Sequence, residues 1–206
     1  MDRPDYLKQI ENRIFSAADG DVFITSDFLD IADTQAVNKV LSRLTKDQKI
    51  RRIIRGVYDR PQYSKLLQEY TAPQMEAVAK AIARNFGWSI IPCGDTALNM
   101  LGLSTQVTAV WLYISDGPYR EFTVGSSTIK FKHTTNKDIS GISYKSALVI
   151  QALKALGKDN MSDKEIKRLS SVLTANEKAA LLSETQRGTA WINDLAKEIA
   201  TQGVDS

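Results

Sequence analysis

The sequence predicts an α+β protein in two parts, and three observations lead to this fold class. Apolar residues recur at helical spacing up to residue 46 and again after residue 143. Short β-branched segments bounded by glycine-containing turns lie between these helical regions. A polar, proline-containing segment at residues 59–73 separates the two parts. Because 206 residues can hold two small domains, we predict a first domain over residues 1–62 and a second over residues 70–206.

The first part begins with a helix, a short strand and a second, shorter helix. The first helix starts near Pro4 and ends before a turn at residues 19–21, and its apolar residues keep helical spacing. Residues 22–24 form a short apolar, extended segment. Either Thr25 or Ser26 is expected to cap the second helix, because a hydroxyl oxygen can accept a hydrogen bond from an unpaired N–H group of the first turn.

A third, longer helix is predicted after a tight turn at residues 32–33. Thr34 is a suitable N-cap, and the helix is expected to run to about Lys46. One stripe of this helix is apolar and must pack inward; it consists of Val37, Val40, Leu41 and Leu44. A short helix, a tight turn and a longer helix in this order are the pattern of a helix-turn-helix.

The opposite face of the third helix carries the side-chain types that contact DNA. Arginine and lysine pair with guanine, asparagine and glutamine pair with adenine, and serine or lysine can hold phosphate. With the N-cap included, the candidate DNA-binding residues of this helix are Thr34, Gln35, Asn38, Lys39, Ser42, Arg43 and Lys46. The alternative is a polar, solvent-facing surface of a three-helix domain.

A basic β-hairpin is predicted directly after the third helix. Residues 49–58 contain two β-branched segments around a tight turn at Arg55-Gly56. A hairpin in this position is a wing, and its arginines can reach flanking phosphates or the minor groove. The candidates are Arg51, Arg52 and Arg55. Three helices followed by a basic hairpin predict a winged helix-turn-helix that binds double-stranded DNA.

Charge is distributed unevenly along the first part. Residues 1–34 contain three Lys and Arg residues against eight Asp and Glu residues, whereas residues 35–65 contain nine against two. The net charge of the whole chain is only +3, so the total says little. A change of sign this abrupt within a small domain suggests that one face meets a polyanion. On charge alone, a solvated basic surface is an equal alternative.

The second part is predicted to combine a small, mainly antiparallel sheet with a helical C-terminal end. An amphipathic helix from Pro73 to about Phe86 opens this part. Strands are expected at residues 89–91, 109–115, 121–124 and 128–133, with a helix opening at residues 94–96. From about residue 143 to residue 202 the pattern predicts three or four helices, with breaks near Gly157, Thr174 and Gly188.

The sequence lacks the motifs of common catalytic sites. It has neither a phosphate-binding glycine-rich loop nor a serine or cysteine nucleophile motif. Gly125-Ser126 is similar to the start of a nucleotidyltransferase motif, but no spaced pair of acidic residues follows it to hold Mg²⁺. The single histidine, His133, and the single cysteine, Cys93, do not supply a zinc site and are interpreted as structural. We therefore predict a protein that is not an enzyme, with no catalytic residue, no cofactor and no metal.

Membrane association is not expected from the sequence. No apolar run approaches the roughly 18 residues that a membrane span requires, and the N-terminus has no basic start followed by an apolar stretch. One cysteine cannot form a disulfide framework. A cytoplasmic location fits these observations.

Two sequence motifs add a family resemblance. The predicted wing ends in Arg-Gly-Val-Tyr at residues 55–58, and residues 91–103 read Ile-Pro-Cys-Gly-Asp-Thr-Ala-Leu-Asn-Met-Leu-Gly-Leu, ahead of a strand with Trp and Tyr. Together with the helix-turn-helix order, these motifs resemble the AbiEi-type antitoxins of bacterial type IV toxin–antitoxin systems. The resemblance covers about residues 5–135.

The resemblance implies a function for each part of the chain. In that family the N-terminal domain binds inverted repeats in the promoter of its operon and represses transcription. The C-terminal domain counteracts a nucleotidyltransferase-like toxin encoded next to it. Carried over by position, the resemblance implicates in DNA contact Gln35, Asn38, Lys39, Arg43, Arg52 and Arg55. It supplies no catalytic residue, and it leaves open whether the chain is a dimer on DNA.

Two other classes of protein stay open at this point. The chain could be a one-component transcription regulator whose second domain senses a small ligand or dimerises and has no toxin partner. It could also be an enzyme that works through carboxylates, with Asp95 and Asp116 near strand ends as the candidates. An adjacent nucleotidyltransferase-like gene would favour the antitoxin over the regulator. A nucleotide- or metal-dependent activity that is lost on mutation of these aspartates would favour the enzyme.

Overall fold

The structure is a computed structural model that describes residues 5–135 and 141–202. The chain divides into two compact units, with the boundary after Gly87. Each unit combines helices with small sheets and contains its own cluster of buried apolar side chains. This confirms the predicted α+β class.

The first unit begins with helix α1 (Tyr6–Ser16), strand β1 (Val22–Ile24) and a 3₁₀ helix (Thr25–Phe28). The predicted second helix is therefore a single 3₁₀ turn. Its N-cap is Ile24, not Thr25 or Ser26. The turn is held by the Asp27 carboxylate, which accepts a hydrogen bond from the Ile24 N–H at 2.9 Å.

Helix α2 (Thr34–Lys46) and the hairpin of β2 (Arg51–Ile54) and β3 (Val57–Asp59) follow. This confirms the predicted helix and hairpin. The strands form an antiparallel sheet in the order β1-β3-β2. The unit's core lies between the helices and this sheet, and its fully buried side chains include Ile10, Ile14, Phe28, Val37, Leu41 and Leu44.

The segment after β3 is more structured than a connection. It contains a two-stranded hairpin, β4 (Tyr63–Ser64) and β5 (Glu69–Tyr70), followed by helix α3 (Met75–Phe86). The sequence pattern assigns this helix to the second domain, whereas in the structure α3 packs on β1 and β3. Arg84 of α3 also donates a hydrogen bond to the Asp27 carboxylate at 3.0 Å. Residues 75–86 therefore group with the first unit.

The second unit begins with β6 (Ile90–Pro92), α4 (Gly94–Met100), β7 (Val110–Ser115), β8 (Arg120–Val124) and β9 (Ser127–His133). The sheet order is β6-β7-β9-β8. Its two outer pairings are antiparallel, and the central pairing of β7 with β9 is parallel. The sheet is thus mainly antiparallel, as predicted, with one parallel pair.

The helical end consists of α5 (Tyr144–Leu156), a 3₁₀ turn (Lys158–Asn160), α6 (Asp163–Val172), α7 (Ala175–Thr185) and α8 (Ala190–Thr201). The breaks predicted near Gly157, Thr174 and Gly188 all fall between these elements. The four α-helices and α4 enclose the unit's apolar core, whose fully buried side chains include Val149, Leu153, Leu169, Leu181 and Ile199.

Candidate nucleic-acid interface

Helix α2 is anchored to the core along one side and exposed along the other. Val37, Leu41 and Leu44 are fully buried, and Val40 is partly buried against them. The exposed side carries all the polar residues that the sequence predicts for DNA contact: Thr34, Gln35, Asn38, Lys39, Ser42, Arg43 and Lys46. The spacing of the apolar residues therefore leaves one continuous polar face directed to solvent.

The start of α2 corrects one detail of the sequence-based prediction. The N-cap is Asp33, whose carboxylate accepts a hydrogen bond from the Ala36 N–H at 2.8 Å. Thr34 is instead the first residue of the helix, with an exposed side chain. Both residue types can cap a helix, so the sequence alone did not distinguish them.

Asn38 is held from outside α2. The Thr25 hydroxyl, at the start of the 3₁₀ turn, donates a hydrogen bond to Asn38 Oδ1 at 2.9 Å. An amide oxygen has a second lone pair, and the Nδ2 group keeps its two donors. The Asn38 side chain is therefore oriented, yet it can still accept one hydrogen bond through Oδ1 and donate one through Nδ2. Adenine requires one bond of each kind in the major groove. Sequence reasoning missed this role of Thr25, and no motif signals it.

Arg43 lies on the exposed face in the last turn of α2 and is only loosely paired. Its Nε atom is 3.8 Å from the Asp47 carboxylate, and 67% of its side chain is exposed. An exposed pair one helical turn apart at this distance contributes little to stability. With Asn38, Lys39, Ser42 and Lys46, these two residues line an open depression of about 490 Å³.

The β2–β3 hairpin presents two of its three arginines to solvent. Arg52 lies in β2 opposite Tyr58, next to an irregularity in the register, and Arg55 lies in the turn; both are exposed. Gly56 completes the turn with φ +81, a conformation that favours glycine. The predicted tight turn at Arg55-Gly56 is confirmed, and it projects Arg55 at the tip of the hairpin.

Arg51, the third arginine, has a different environment. It is half-buried and forms a bidentate ion pair with Asp59, which is fully buried on β3. It also donates to the Thr71 carbonyl at 3.0 Å. The sequence placed Arg51 with the DNA-contacting arginines. The signal that it missed is the register of the hairpin, which sets Arg51 directly opposite an acidic residue.

Two further cations of residues 35–65, here called the basic segment, are also paired within the first unit. Lys49 forms an ion pair with Glu11. Arg60 contacts the Asp19 carboxylate at 2.8 Å, donates to the carbonyls of Phe15 and Ala17, and lies over the Phe15 ring. In contrast, among the described residues no ion pair is formed by Lys39, Lys46, Arg52 or Arg55. The basic segment is thus sorted into cations that hold the fold and cations that face solvent.

Four residues of the second unit, Cys93, Asp95, Asp116 and His133, are the candidates that the sequence raises for chemistry. Cys93 is buried, and burial raises the pKa of its thiol to about 11. Nδ1 of His133 lies 3.0 Å from the Gly117 carbonyl, and Asp116 accepts a hydrogen bond from the Ser89 N–H at 2.9 Å. Asp95 lies exposed in the first turn of α4. Within residues 5–135 and 141–202, no group of three or more His, Cys, Asp or Glu side chains is arranged to hold a metal.

The protein has a mixed α+β fold. Its first unit presents exposed cations on one face of α2 and on the β2–β3 hairpin. The chain belongs to DUF6088, a family of unknown function whose model matches residues 9–181. Comparison with curated proteins gives no match. Among the helices that the structure describes, none is long and apolar enough to cross a membrane.

Proposed function

We propose that the first unit binds double-stranded DNA as a winged helix-turn-helix, with α2 as the recognition helix and the β2–β3 hairpin as the wing. The observation that carries this proposal is the sorting of the cations. A merely solvated basic surface would give no reason for the concentration of Lys39, Lys46, Arg52 and Arg55, which form no ion pair among the described residues, on one helix face and one adjacent hairpin. A polyanion that meets both elements accounts for that concentration.

The residues divide into three roles. Gln35, Asn38, Lys39 and Arg43 supply the donors and acceptors that base edges recognise. Phosphate contacts come from Thr34 at the helix N-terminus and from Ser42, Lys46, Arg52 and Arg55. Arg51 is a positioning residue, because its guanidinium is occupied by Asp59 and holds β2 against β3.

On the sequence resemblance, the DNA is an operator of inverted repeats in the promoter of the chain's own operon, and binding represses transcription in the cytoplasm. The same resemblance supports a role for the second unit as an antitoxin that counteracts a nucleotidyltransferase-like toxin encoded next to it. The alternative is a one-component regulator without a toxin partner. No residue of the second unit is assigned a catalytic role.

DNA binding is tested with the full-length protein and the DNA upstream of its gene. Asn38→Ala and Arg43→Ala are each expected to weaken specific binding by about 1–3 kcal/mol, because each removes a contact to a base edge. Both side chains are exposed, so thermal unfolding should not change. Lys164→Ala, an exposed cation of the second unit, is the matched control. Unchanged affinity of both variants in a gel-shift titration would refute the assignment of α2.

The antitoxin role is tested separately in cells. The neighbouring gene is expressed from an independent promoter, so that repression by the chain cannot lower its level. Wild-type chain and Arg43→Ala are both expected to restore growth. Failure of wild-type chain to protect, with soluble expression, would favour the regulator without a toxin partner. Protection that is lost in Arg43→Ala would show that neutralisation requires the DNA-binding surface.

A further inference from the structure

The β4–β5 hairpin exposes an apolar tip that the DNA-binding role does not use. Leu66 is 91% exposed and Leu67 is 62% exposed. Tyr63 and Tyr70 are paired across the two strands with ring centroids 5.3 Å apart, and more than half of each is also exposed. A two-stranded hairpin is marginally stable by itself in water, and adjacent exposed leucines at its tip mark an interaction surface.

An apolar groove lies beside this hairpin in the same unit. It has a volume of about 460 Å³ and is lined by Thr45, Gln48, Ile50, Arg51, Arg52, Pro61 and Tyr70. Tyr70 belongs to both features, since it forms part of the hairpin and one side of the groove. The first unit therefore carries a protruding apolar tip and an apolar groove next to each other.

We propose that a second copy of the chain occupies this groove, with Leu66 and Leu67 of each copy inserted into the groove of the other about a twofold axis. A tip and a groove on one molecule can associate with those of an identical molecule, and a twofold exchange closes the assembly at two copies. Lys65 and Glu69 on the same hairpin have opposite charges and form no ion pair among the described residues. In the dimer, Lys65 of one copy can therefore pair with Glu69 of the other.

The size of the exposed patch limits the area of the dimer interface. Two leucines and two tyrosines at these exposures offer roughly 400–500 Å² per copy. Two copies would therefore remove roughly 800–1,000 Å² from water, a size that reaches the lower limit for a specific interface only at its upper end and is typical of a weak, transient one. We expect a reversible dimer whose population depends on protein concentration. This inference does not rest on the proposed function, because the dimer forms without DNA.

The first test is sedimentation velocity of the full-length protein across the micromolar range, without DNA. Wild type is expected to shift from monomer to dimer, and Leu66→Ser/Leu67→Ser is expected to raise the dimer dissociation constant at least about a hundredfold, because four leucines per dimer leave the interface. Val107→Ser, which removes a fully exposed apolar side chain of the second unit, should dimerise as wild type does. Both leucines are exposed, so circular dichroism should show an unchanged fold.

The second test identifies the occupant of the groove. Leu66→Cys and Thr45→Cys chains are mixed under mild oxidation, and a disulfide between the two different chains is expected. Val107→Cys mixed with Thr45→Cys is the control, and the native Cys93 is buried and should not react. A monomeric wild type, growth into open oligomers, a dimer unaffected by the leucine substitutions, or no cross-link between the mixed chains would each overturn the proposal. Arg43→Ala should dimerise normally, which separates this result from the test of DNA binding.

Discussion

The two units of this chain have almost the same net charge but arrange it differently. Lys and Arg outnumber Asp and Glu by 14 to 12 in residues 1–87 and by 13 to 12 in residues 88–206. In both units acids cap helices, as Asp33 does in the first and Glu165 and Glu177 do in the second. In the first unit, Lys39 and Lys46 on α2 and Arg52 and Arg55 on the β2–β3 hairpin are exposed and form no ion pair among the described residues, whereas only Lys8 and Lys65 do so elsewhere in that unit. The comparison teaches that the arrangement of charge, rather than its total, indicates a surface for a polyanion.

A similar contrast exists between neighbours within the β2–β3 hairpin. Arg51 and Arg52 are adjacent in β2, yet successive side chains of a strand point to opposite faces. Arg51 is directed to the buried Asp59, and Arg52 is directed to solvent. Under the proposed function, these two arginines have separate tasks, one in folding and one in binding. Both contrasts can be tested by mutation.

The largest effect is expected from cutting the chain on either side of α3. A fragment of residues 1–87 should unfold cooperatively and bind DNA. A fragment of residues 1–65 should lose most of its stability, because it lacks the apolar face of α3 and the contact of Arg84 with Asp27. Urea unfolding followed by circular dichroism measures the difference. Equal midpoints for the two fragments would show that α3 does not belong to the first unit's core.

The next effect concerns the two neighbouring arginines. Arg51→Met leaves the buried Asp59 carboxylate without its cation and should lower the free energy of unfolding by about 3 kcal/mol. Arg52→Met, with the same change at an exposed position, should alter it by less than about 0.5 kcal/mol. Only the Arg52 variant should lose DNA affinity while it remains fully folded.

A double variant checks the cause of that difference. In Arg51→Met/Asp59→Leu no uncompensated charge remains, so part of the lost stability should return. Urea denaturation of wild type, Arg51→Met, Arg52→Met and Arg51→Met/Asp59→Leu gives the four free energies of unfolding to be compared. If Arg51→Met were as stable as wild type, the ion pair would not hold the wing, and Arg51 would rejoin the candidates for DNA contact.

The third prediction concerns the binding role of the wing. Arg52→Ala/Arg55→Ala should weaken binding to all DNA sequences alike, because phosphate contacts carry no sequence information. Each lost phosphate contact should also reduce the slope of log K against log salt concentration by about 0.9, so the double variant should lose nearly two units of slope. Titrations at several salt concentrations provide the measurement. An unchanged slope with a loss confined to one operator would mean that these arginines read bases.

Most of the elements could be predicted from the sequence, because their signals are local. Gly56 between two β-branched segments marks the β2–β3 hairpin, and the stripe of Val37, Leu41 and Leu44 marks the inward side of α2. The β4–β5 hairpin was missed because strands of two residues show no alternation. The pairing of Arg51 depends on cross-strand register, and an amphipathic pattern in α3 does not show which core that helix covers. Such properties depend on tertiary contacts.

The smallest effect is expected at the cap of α7, where the second unit uses charge for its own fold. The Thr174 N–H and hydroxyl donate hydrogen bonds to the Glu177 carboxylate at 2.8 and 2.9 Å, and these bonds lower its pKa below the ordinary value of 4.5. Because the folded-state pKa is the lower one, the stabilisation is present above pH 4.5 and is lost as the pH falls through the folded value.

Glu177→Gln should therefore cost less than about 1 kcal/mol at neutral pH, since the group is only partly buried and is screened by solvent. The difference from wild type should shrink as the pH falls below the range in which Glu177 is ionised. Thr174→Ala, which removes the capping hydroxyl, should cost about 1 kcal/mol. Glu198→Gln, at an exposed position of α8, is the matched control and should show neither loss. Thermal unfolding between neutral and acidic pH provides the test, and DNA affinity should be the same in all of these variants. A change in DNA binding with Glu177→Gln would contradict the separation of charge roles between the two units.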